Sequence, residues 1–234
     1  SDWSSDVCSS DLALPPERFE RIIPFLSSRG FTVLADPGKV ILDLPPLRLR
    51  KALETAGALV MNRHEYGLLR EHLGNLWKAL EERNPDLIIT DGAKGAVITQ
   101  PIERGTIRVP AYPLPDPADP YGAGDAFLAG VAAGRFHSLP LEVSARIGAT
   151  ASSYALEKRG SQSHRFEPDD FARRFASLRP GGPGEETARR IPAEEAGYSD
   201  FSHFFTDLAR ISRNRAGVSH TAAGRDTPNQ GDPL

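Results

Sequence analysis

Between residues 15 and 178 the sequence alternates segments of helical periodicity with short apolar runs that are typical of strands. Apolar residues recur at helical spacing over 19–26, Gly30 ends that segment, and the apolar run at 31–34 predicts a buried strand. Repeated alternation of this kind predicts an α/β fold, in which helices flank a mostly parallel sheet. Ligands of such sheets bind at the carboxyl ends of the strands. We therefore expect the functional residues at that edge.

The same patterns predict most of the remaining elements. Further strands are expected at 58–61, 87–90, 97–99 and 106–109, with a turn at 92–95. Further helices are expected at 46–56, 64–73, 76–82, 124–134, 139–156 and 168–178. The helices at 124–134 and 139–156 are rich in Ala and Gly, which predicts that they pack closely together.

Glycine and proline divide the chain into segments. The sequence holds 21 Gly and 20 Pro, and residues 180–184 form an uninterrupted Pro/Gly run that no helix or strand can include. Residues 1–12 repeat Ser and Asp without apolar periodicity and resemble translated adapter or cloning sequence. We expect a non-native leader over 1–12, a folded domain over 13–179, a linker over 180–184 and a tail over 185–234.

Composition excludes several classes of protein. A net charge of −3 and a pI of about 6.1 argue against a strongly basic protein that binds nucleic acid. The single cysteine, Cys8, can form neither an internal disulfide nor a thiolate metal site alone. No run of about 20 apolar residues predicts a membrane span. We therefore expect a soluble, cytoplasmic protein without a membrane partner.

The segment Gly122-Ala123-Gly124-Asp125 carries the most chemical information. It lies at the predicted start of a helix, where free backbone N–H groups and the positive end of the helix dipole favour an anion. Asp125 follows in the first turn, where its carboxylate could accept a proton from a substrate hydroxyl. The alternative, on spacing alone, is a tight turn before a helix.

Three motifs in the same order resemble the ribokinase-like (PfkB) family of sugar and nucleoside kinases. The first is Asn62-Arg63-His64-Glu65, the second is Thr90-Asp91-Gly92-Ala93-Lys94-Gly95, and the third is Asp119-Pro120 followed by Gly122-Ala123-Gly124-Asp125. Residues 36–38 and 157–164 also resemble the adenosine-kinase-like bacterial branch. The resemblance implies a three-layer ribokinase-like fold and ATP as the phosphoryl donor.

The resemblance also implies roles for individual residues. Asp125 would be the general base, and the backbone N–H groups of Gly122, Ala123 and Gly124 would form an anion hole for the transferred phosphate. Glu65, supported by Asn62, would organise Mg²⁺ through water. The residues expected to border the nucleotide are Thr90, Gly92 and Gly95, with Ala149 and Ser152 beside the adenine ring.

Simpler interpretations stand beside these roles. Asn62 and Glu65 fit a helix capping box, and residues 90–95 fit an ordinary hairpin turn. Tyr121 departs from the family pattern, in which a small Thr usually stands there, and its ring could narrow the anion hole or alter access of the acceptor.

The resemblance extends over residues 14–178 and implies the C-terminal part of a kinase, truncated on its N-terminal side. The implied reaction moves the γ-phosphoryl group of ATP to a hydroxymethyl group of a sugar or nucleoside, with adenosine or ribose as examples. Mg²⁺ and a monovalent cation such as K⁺ would assist, and a homodimer is compatible with the full-length family. Because the acceptor-binding half of the family is missing, we expect weak or no activity. A non-catalytic nucleotide-binding fragment is the alternative.

The tail is a separate case. Residues 191–205 resemble part of a helix-turn-helix of AraC-type regulators, and Arg210, Arg213 and Arg215 could meet phosphates. This makes a remnant of a DNA-binding regulator one hypothesis for residues 185–215. A poorly folded appendage is the preferred alternative, because Pro192 interrupts the first helix and the partner helices are missing.

Overall fold

A computed structural model describes residues 14–38, 40–83, 85–100 and 105–178. Their centre is a five-stranded sheet with the order β1-β2-β3-β4-β5. The strands are β1 (Leu34–Ala35), β2 (Ala58–Asn62), β3 (Asp86–Thr90), β4 (Ala96–Gln100) and β5 (Gly105–Val109).

The first three strands run parallel, β4 is antiparallel to β3, and β5 is antiparallel to β4. Four strands therefore share one direction and only β4 opposes it, so the prediction of a mostly parallel sheet is confirmed. β2 and β3 pair along their whole length, and Asn62 lies opposite Thr90 at their carboxyl ends. The register places the ends of two predicted motifs side by side.

Five helices cover one face of the sheet. They are α1 (Pro16–Ser28), α2 (Val40–Asp43), α3 (Pro46–Leu53), α4 (Arg63–Leu73) and α5 (Leu76–Glu81). Their buried side chains form one core cluster with Leu59, Met61 and Leu87 of the sheet. The alternate strand residues Val60 and Ile88 point to the opposite face, as the two-residue period of a strand requires.

That second face is covered by α6 (Ala123–Phe136) and α7 (Leu141–Leu156), and α8 (Pro168–Ser177) packs on α7 through Phe171 and Phe175. A Cβ atom added to Gly130 of α6 would lie 2.6 Å from the Cα atom of Gly148 in α7. The two helices therefore touch backbone to backbone, which confirms the close packing predicted from their composition. Helices on both faces of the sheet give the fold three layers.

The structure corrects the prediction of a strand at residues 31–34. The Phe31 N–H donates to the Leu26 carbonyl at 3.1 Å and the Gly30 N–H to the Ser27 carbonyl at 3.0 Å, with Gly30 at φ 82°. This Schellman arrangement ends α1 and engages the Phe31 N–H group. The Phe31 side chain is 63% exposed. The strand consequently begins only at Leu34.

Smaller differences concern element ends. The short helix α2 was not predicted, α3 ends at Leu53 and not at residue 56, and a 3₁₀ turn at Gly92–Lys94 connects β3 to β4. The predicted leader, linker and tail, including the helix-turn-helix resemblance, lie outside the described residues. Within the described ranges, none of the helices combines the length and apolar character needed to cross a membrane.

Candidate active site

The carboxyl ends of the three parallel strands bring several polar residues to one edge of the sheet. Asp36 follows β1, Asn62 ends β2, and Thr90 ends β3. Pairing of Asn62 with Thr90 fixes two of these positions relative to each other. The edge is the one at which the strand pattern predicts a ligand site.

Asn62 and Glu65 form a reciprocal cap at the start of α4. The Glu65 N–H donates to Oδ1 of Asn62 at 2.9 Å, and the Asn62 N–H donates to Oε2 of Glu65 at 2.8 Å. The capping-box interpretation is therefore confirmed as the local geometry. The cap fixes the Glu65 side chain and involves only one of its two carboxylate oxygens, so a role toward a cation is compatible with it.

Asp36 is a site residue that the periodicity and motif spacing did not identify. Burial, followed by the nearby charge of Glu65 and then that of Asp125, raises the pKa of Asp36 to about 7, although the Gly38 N–H donates to its Oδ1 at 3.0 Å and opposes the shift. The side chain keeps an exposed surface, yet the surrounding protein displaces part of its hydration. The position directly after a predicted strand was the available signal.

The chain turns sharply before α6. Gly122 has φ 78° and ψ −2°, which is the left-handed region, and it is the residue before the first turn of the helix. A Cβ atom at this position would also lie 2.6 Å from the Cβ atom of Ser161. Glycine is thus required at position 122 for both backbone conformation and space.

Asp125 lies in the first turn of α6 and is exposed to solvent. The first helical hydrogen bond runs from the Ala126 N–H to the Gly122 carbonyl at 2.9 Å, and the Ala123 N–H donates to the Pro120 carbonyl at 3.3 Å. The N–H groups of Gly124 and Asp125 lie in the first turn, where the helix offers no carbonyl four residues earlier as an acceptor. Of the predicted donors, the Ala123 N–H is thus engaged with Pro120, whereas no backbone bond among the described residues engages the N–H groups of Gly122 and Gly124, and the anion hole stays a prediction.

The loop before α6 is tied to the loop after α7. Asp119 accepts hydrogen bonds from the N–H groups of Gly160 at 2.9 Å and Tyr121 at 3.0 Å, and these bonds hold the pKa of the Asp119 carboxyl below its usual value. The Tyr121 side chain, directly before Gly122, is 41% exposed. The bulky residue that departs from the family pattern is therefore accessible from solvent.

The Thr90–Gly95 segment forms a compact turn. The Asp91 N–H donates to the Gly95 carbonyl at 2.7 Å, which closes the connection between antiparallel strands β3 and β4, as the hairpin interpretation expects. Arg63 donates from Nε to Oδ2 of Asp91 at 2.7 Å, and Lys94 lies 3.9 Å from the same oxygen. An ion pair thus joins this turn to the start of α4.

Gly92 and Gly95 of the turn have positive φ angles of 52° and 83°. A Cβ atom on Gly95 would lie 2.0 Å from the Val109 carbonyl oxygen, so the turn packs directly on β5. Ala149 is buried in the core between α7 and the sheet, and Ser152 is half-buried one helical turn later. Their placement beside an adenine ring stays a prediction.

Residues 29–167 match the family described as pfkB family carbohydrate kinase. A nucleoside kinase from Methanocaldococcus jannaschii is 31% identical over 129 residues, which are 55% of this chain and 42% of that protein.

Solved structures agree with this match. A Burkholderia thailandensis nucleoside kinase in complex with inosine is 26% identical, with a TM-score of 0.63 over 70% of this chain and 54% of that chain. The fold is also that of an Arabidopsis thaliana ribokinase complexed with ribose and ATP, at 19% identity and a TM-score of 0.58 over 69% of this chain and 53% of that one.

The chain spans about half the length of these relatives. Its α/β architecture and the order of its three motifs are accounted for by one family. The predicted ribokinase-like fold is confirmed, whereas the adenosine-kinase-like branch stays a prediction. The chain belongs to the pfkB family of carbohydrate kinases.

Proposed function

We propose that this chain carries the phosphate-handling part of an ATP-dependent kinase that phosphorylates a hydroxymethyl group of a nucleoside or sugar. The observation that carries the proposal is the start of α6. An exposed carboxylate, Asp125, lies in the same helical turn as open N–H donors, beyond a left-handed Gly122. The proposed general base, Asp125, and the proposed anion site thus lie next to each other in one helical turn.

In the proposed reaction the acceptor hydroxyl oxygen forms a bond to the γ-phosphorus of ATP, and the bond from that phosphorus to the β–γ bridging oxygen breaks, releasing ADP. Asp125 accepts the hydroxyl proton. The N–H groups of the first turn and the helix dipole stabilise the negative charge on the transferred group. Asp125 and the donors are covalently adjacent, so their relative placement does not depend on a distant contact.

The residues near Asp36 and Glu65 fit a magnesium ion that is held largely through water. The described part of the chain contains no group of three His, Cys, Asp or Glu side chains arranged to enclose a metal. Mg²⁺ usually keeps several waters and takes its other ligands from one or two carboxylates and from substrate phosphates. Glu65, oriented by Asn62, and Asp36 would be those carboxylates. When bound, Mg²⁺ would offset phosphate charge.

A nucleoside is the proposed acceptor, and a sugar such as ribose is the broader class. Support comes from the relatives: two are named nucleoside kinases, one of them solved with inosine, and a third is a ribokinase solved with ribose and ATP. A monovalent cation such as K⁺ and homodimer formation stay predictions from the family resemblance.

The deciding experiment replaces Asp125 by Asn and measures ATP-dependent phosphorylation of adenosine, inosine and ribose at high protein concentration. Asp169→Asn is the matched control, because Asp169 occupies the first turn of another helix, α8. Loss of a general base lowers turnover by roughly 10²–10⁴-fold. We expect that loss only for Asp125→Asn, together with retained ADP binding by calorimetry.

Other outcomes separate the alternatives. A wild-type chain that binds ADP but transfers no phosphate would support a non-catalytic nucleotide-binding fragment. A chain that neither binds ADP nor transfers phosphate would contradict the proposal. The same assay measures whether the chain alone is as weakly active as the sequence predicts.

A further inference from the structure

Arg174 of α8 contacts four side chains, three of them at the end of α7 or directly after it and the fourth in the segment before α6. Its Nη1 donates to Oγ of Ser153 at 2.8 Å, and its Nη2 donates to Oε1 of Glu157 at 2.8 Å. The guanidinium carbon lies 3.7 Å from the ring centre of Tyr154 and 4.4 Å from that of Tyr112. A single side chain therefore joins two helices and the segment before α6.

This arrangement differs from the ion pairs on the surface. The side chains of Arg174 and Glu157 are 14% and 35% exposed, whereas those of Arg173 and Asp170 in the same helix are 72% and 51% exposed. Two aromatic rings shield the guanidinium and add cation–π attraction, which is stronger where water is excluded. Arg174 thus fixes the position of Glu157 more firmly than an exposed pair could.

Glu157 is the first residue of the loop that supports the anion hole. The preceding carbonyl, that of Leu156, accepts hydrogen bonds from the N–H groups of Ala118 at 2.7 Å and Asp119 at 3.4 Å. Asp119 in turn accepts the Gly160 N–H at 2.9 Å. The chain before α6 is therefore bonded both to the end of α7 and to the loop that follows it.

The loop then reaches the turn at Gly122. Ser161 lies so close to Gly122 that an added Cβ atom would be 2.7 Å from the Ser161 Cα atom. A displacement of residues 157–161 would consequently move the Gly122 turn, and with it the first N–H groups of α6. A continuous series of contacts leads from α8 to Asp125.

We propose that Arg174 is a positioning residue of the phosphate site, which acts by holding the end of α7 and the 157–161 loop against the Gly122 turn. The inference rests on the proposed function, because it assumes that the start of α6 binds a phosphate group. Arg174 itself has no contact with the reacting atoms; it sets the orientation of the donors that do.

Arg146 provides a matched control within the same pair of helices. Its Nη2 donates to the Phe175 carbonyl at 3.2 Å, and its guanidinium lies 4.3 Å from the Phe175 ring centre. Arg146 therefore also fastens α7 to α8, but it lies 11 residues before Glu157 in the chain, about 16 Å along a helix. Its loss should loosen the helix pair without moving the loop.

The experiment compares Arg174→Gln, Arg174→Lys and Arg146→Gln by affinity for a non-hydrolysable ATP analogue, which retains the γ-phosphoryl group, and by thermal unfolding. Loss of one well-aligned N–H bond to a charged phosphate corresponds to about a tenfold weaker affinity or more. We expect that weakening for Arg174→Gln, partial recovery for Arg174→Lys, which keeps the charge beside Glu157, and wild-type affinity for Arg146→Gln despite its lower unfolding temperature.

Two further measurements make the result specific. Asp119→Asn and Arg174→Gln should be non-additive in affinity for the ATP analogue, because both act through the same loop. Amide hydrogen exchange at Tyr121 and Gly160 should accelerate in Arg174→Gln and not in Arg146→Gln, whether or not nucleotide is present.

Wild-type affinity and unchanged exchange in Arg174→Gln would overturn the proposal, as would an equal loss of affinity for the ATP analogue in Arg146→Gln. If the wild type itself binds neither ADP nor the ATP analogue, the proposed function fails first and this inference fails with it.

Discussion

The two faces of the sheet are packed in different ways. Helices α1 to α5 cover one face with large aliphatic side chains, among them Leu49, Leu69 and Leu80, each fully buried. On the other face α6 and α7 meet through glycines, and Gly130 lies against the backbone of Gly148. One interface is filled by side chains that can repack, and the other is set by backbone contact.

This difference matches what each face contributes to the site. The glycine-packed face carries the start of α6, where the proposed reaction requires the N–H donors and Asp125 to keep a fixed relation to a phosphate. The leucine-packed face carries α4, whose first turn orients Glu65 through a local cap. The position of Asp125 thus depends on contact between α6 and α7 on one face, and that of Glu65 depends on hydrogen bonds within the first turn of α4 on the other.

The largest effect is expected from a cavity in the leucine-packed face. Leu49→Ala removes a fully buried side chain and should lower the free energy of unfolding by about 2–5 kcal/mol. Urea denaturation followed by circular dichroism measures the change. A loss below about 1 kcal/mol would mean that this face collapses around the cavity far more readily than a typical core.

The glycine-packed face is tested by adding one methyl group. Gly130→Ala places a Cβ atom 2.6 Å from the Gly148 Cα atom and 2.8 Å from its nitrogen, and neither backbone atom can rotate away. The helices have to separate, at a cost of about 1–3 kcal/mol, although alanine is the better helix former. An unchanged or higher unfolding free energy would contradict backbone contact as the basis of this interface.

The pH dependence of stability tests the edge where the strand ends meet. The folded-state pKa of Asp36 is about 7, above the value near 3.9 of an unfolded aspartate, so its contribution to stability is present below pH 4 and is lost as the pH rises through 7. Asp36→Asn should therefore stabilise the protein at pH 8 without magnesium, with the gain vanishing near pH 4. A gain that is the same at both pH values would contradict the shift.

The smallest effect is expected for a glycine outside any contact. Gly67 lies in the middle of α4, is exposed, and has no atom within 4 Å of an added Cβ atom. Gly67→Ala should stabilise the chain by about 0.5–1 kcal/mol through helix propensity and reduced freedom of the unfolded state. It is the matched partner of Gly130→Ala: the same substitution should have opposite signs on the two faces.

Much of the fold could be predicted because its elements have clear local signals. The spacing of apolar residues identified most helices, and the Ala- and Gly-rich composition of residues 124–156 predicted the close pair α6 and α7. The strand prediction for residues 31–34 was wrong because Phe31 is apolar but its N–H group bonds to the last turn of α1. Hydrophobicity alone cannot show which backbone groups are already engaged.

The candidate site divides in the same way. Gly122 and Asp125 could be located from a local motif, and the motif order suggested the family. The raised pKa of Asp36 depends first on burial and then on the charges of Glu65 and Asp125, which belong to other elements, so only the folded arrangement reveals it. The contacts of Arg174 likewise join α8 to α7 and to Tyr112, and no residue spacing in the sequence predicts them.

Each strand of the sheet is hydrogen-bonded to the strand that precedes it in the chain, from β1 to β5. Among these five described strands, the partner of each new strand from β2 onward is therefore synthesised before it. Pairing in chain order keeps the loops that close during folding short, which limits their entropy cost and favours rapid folding. The helix that bears Asp125 follows β5 in the chain and packs on a face of this sheet.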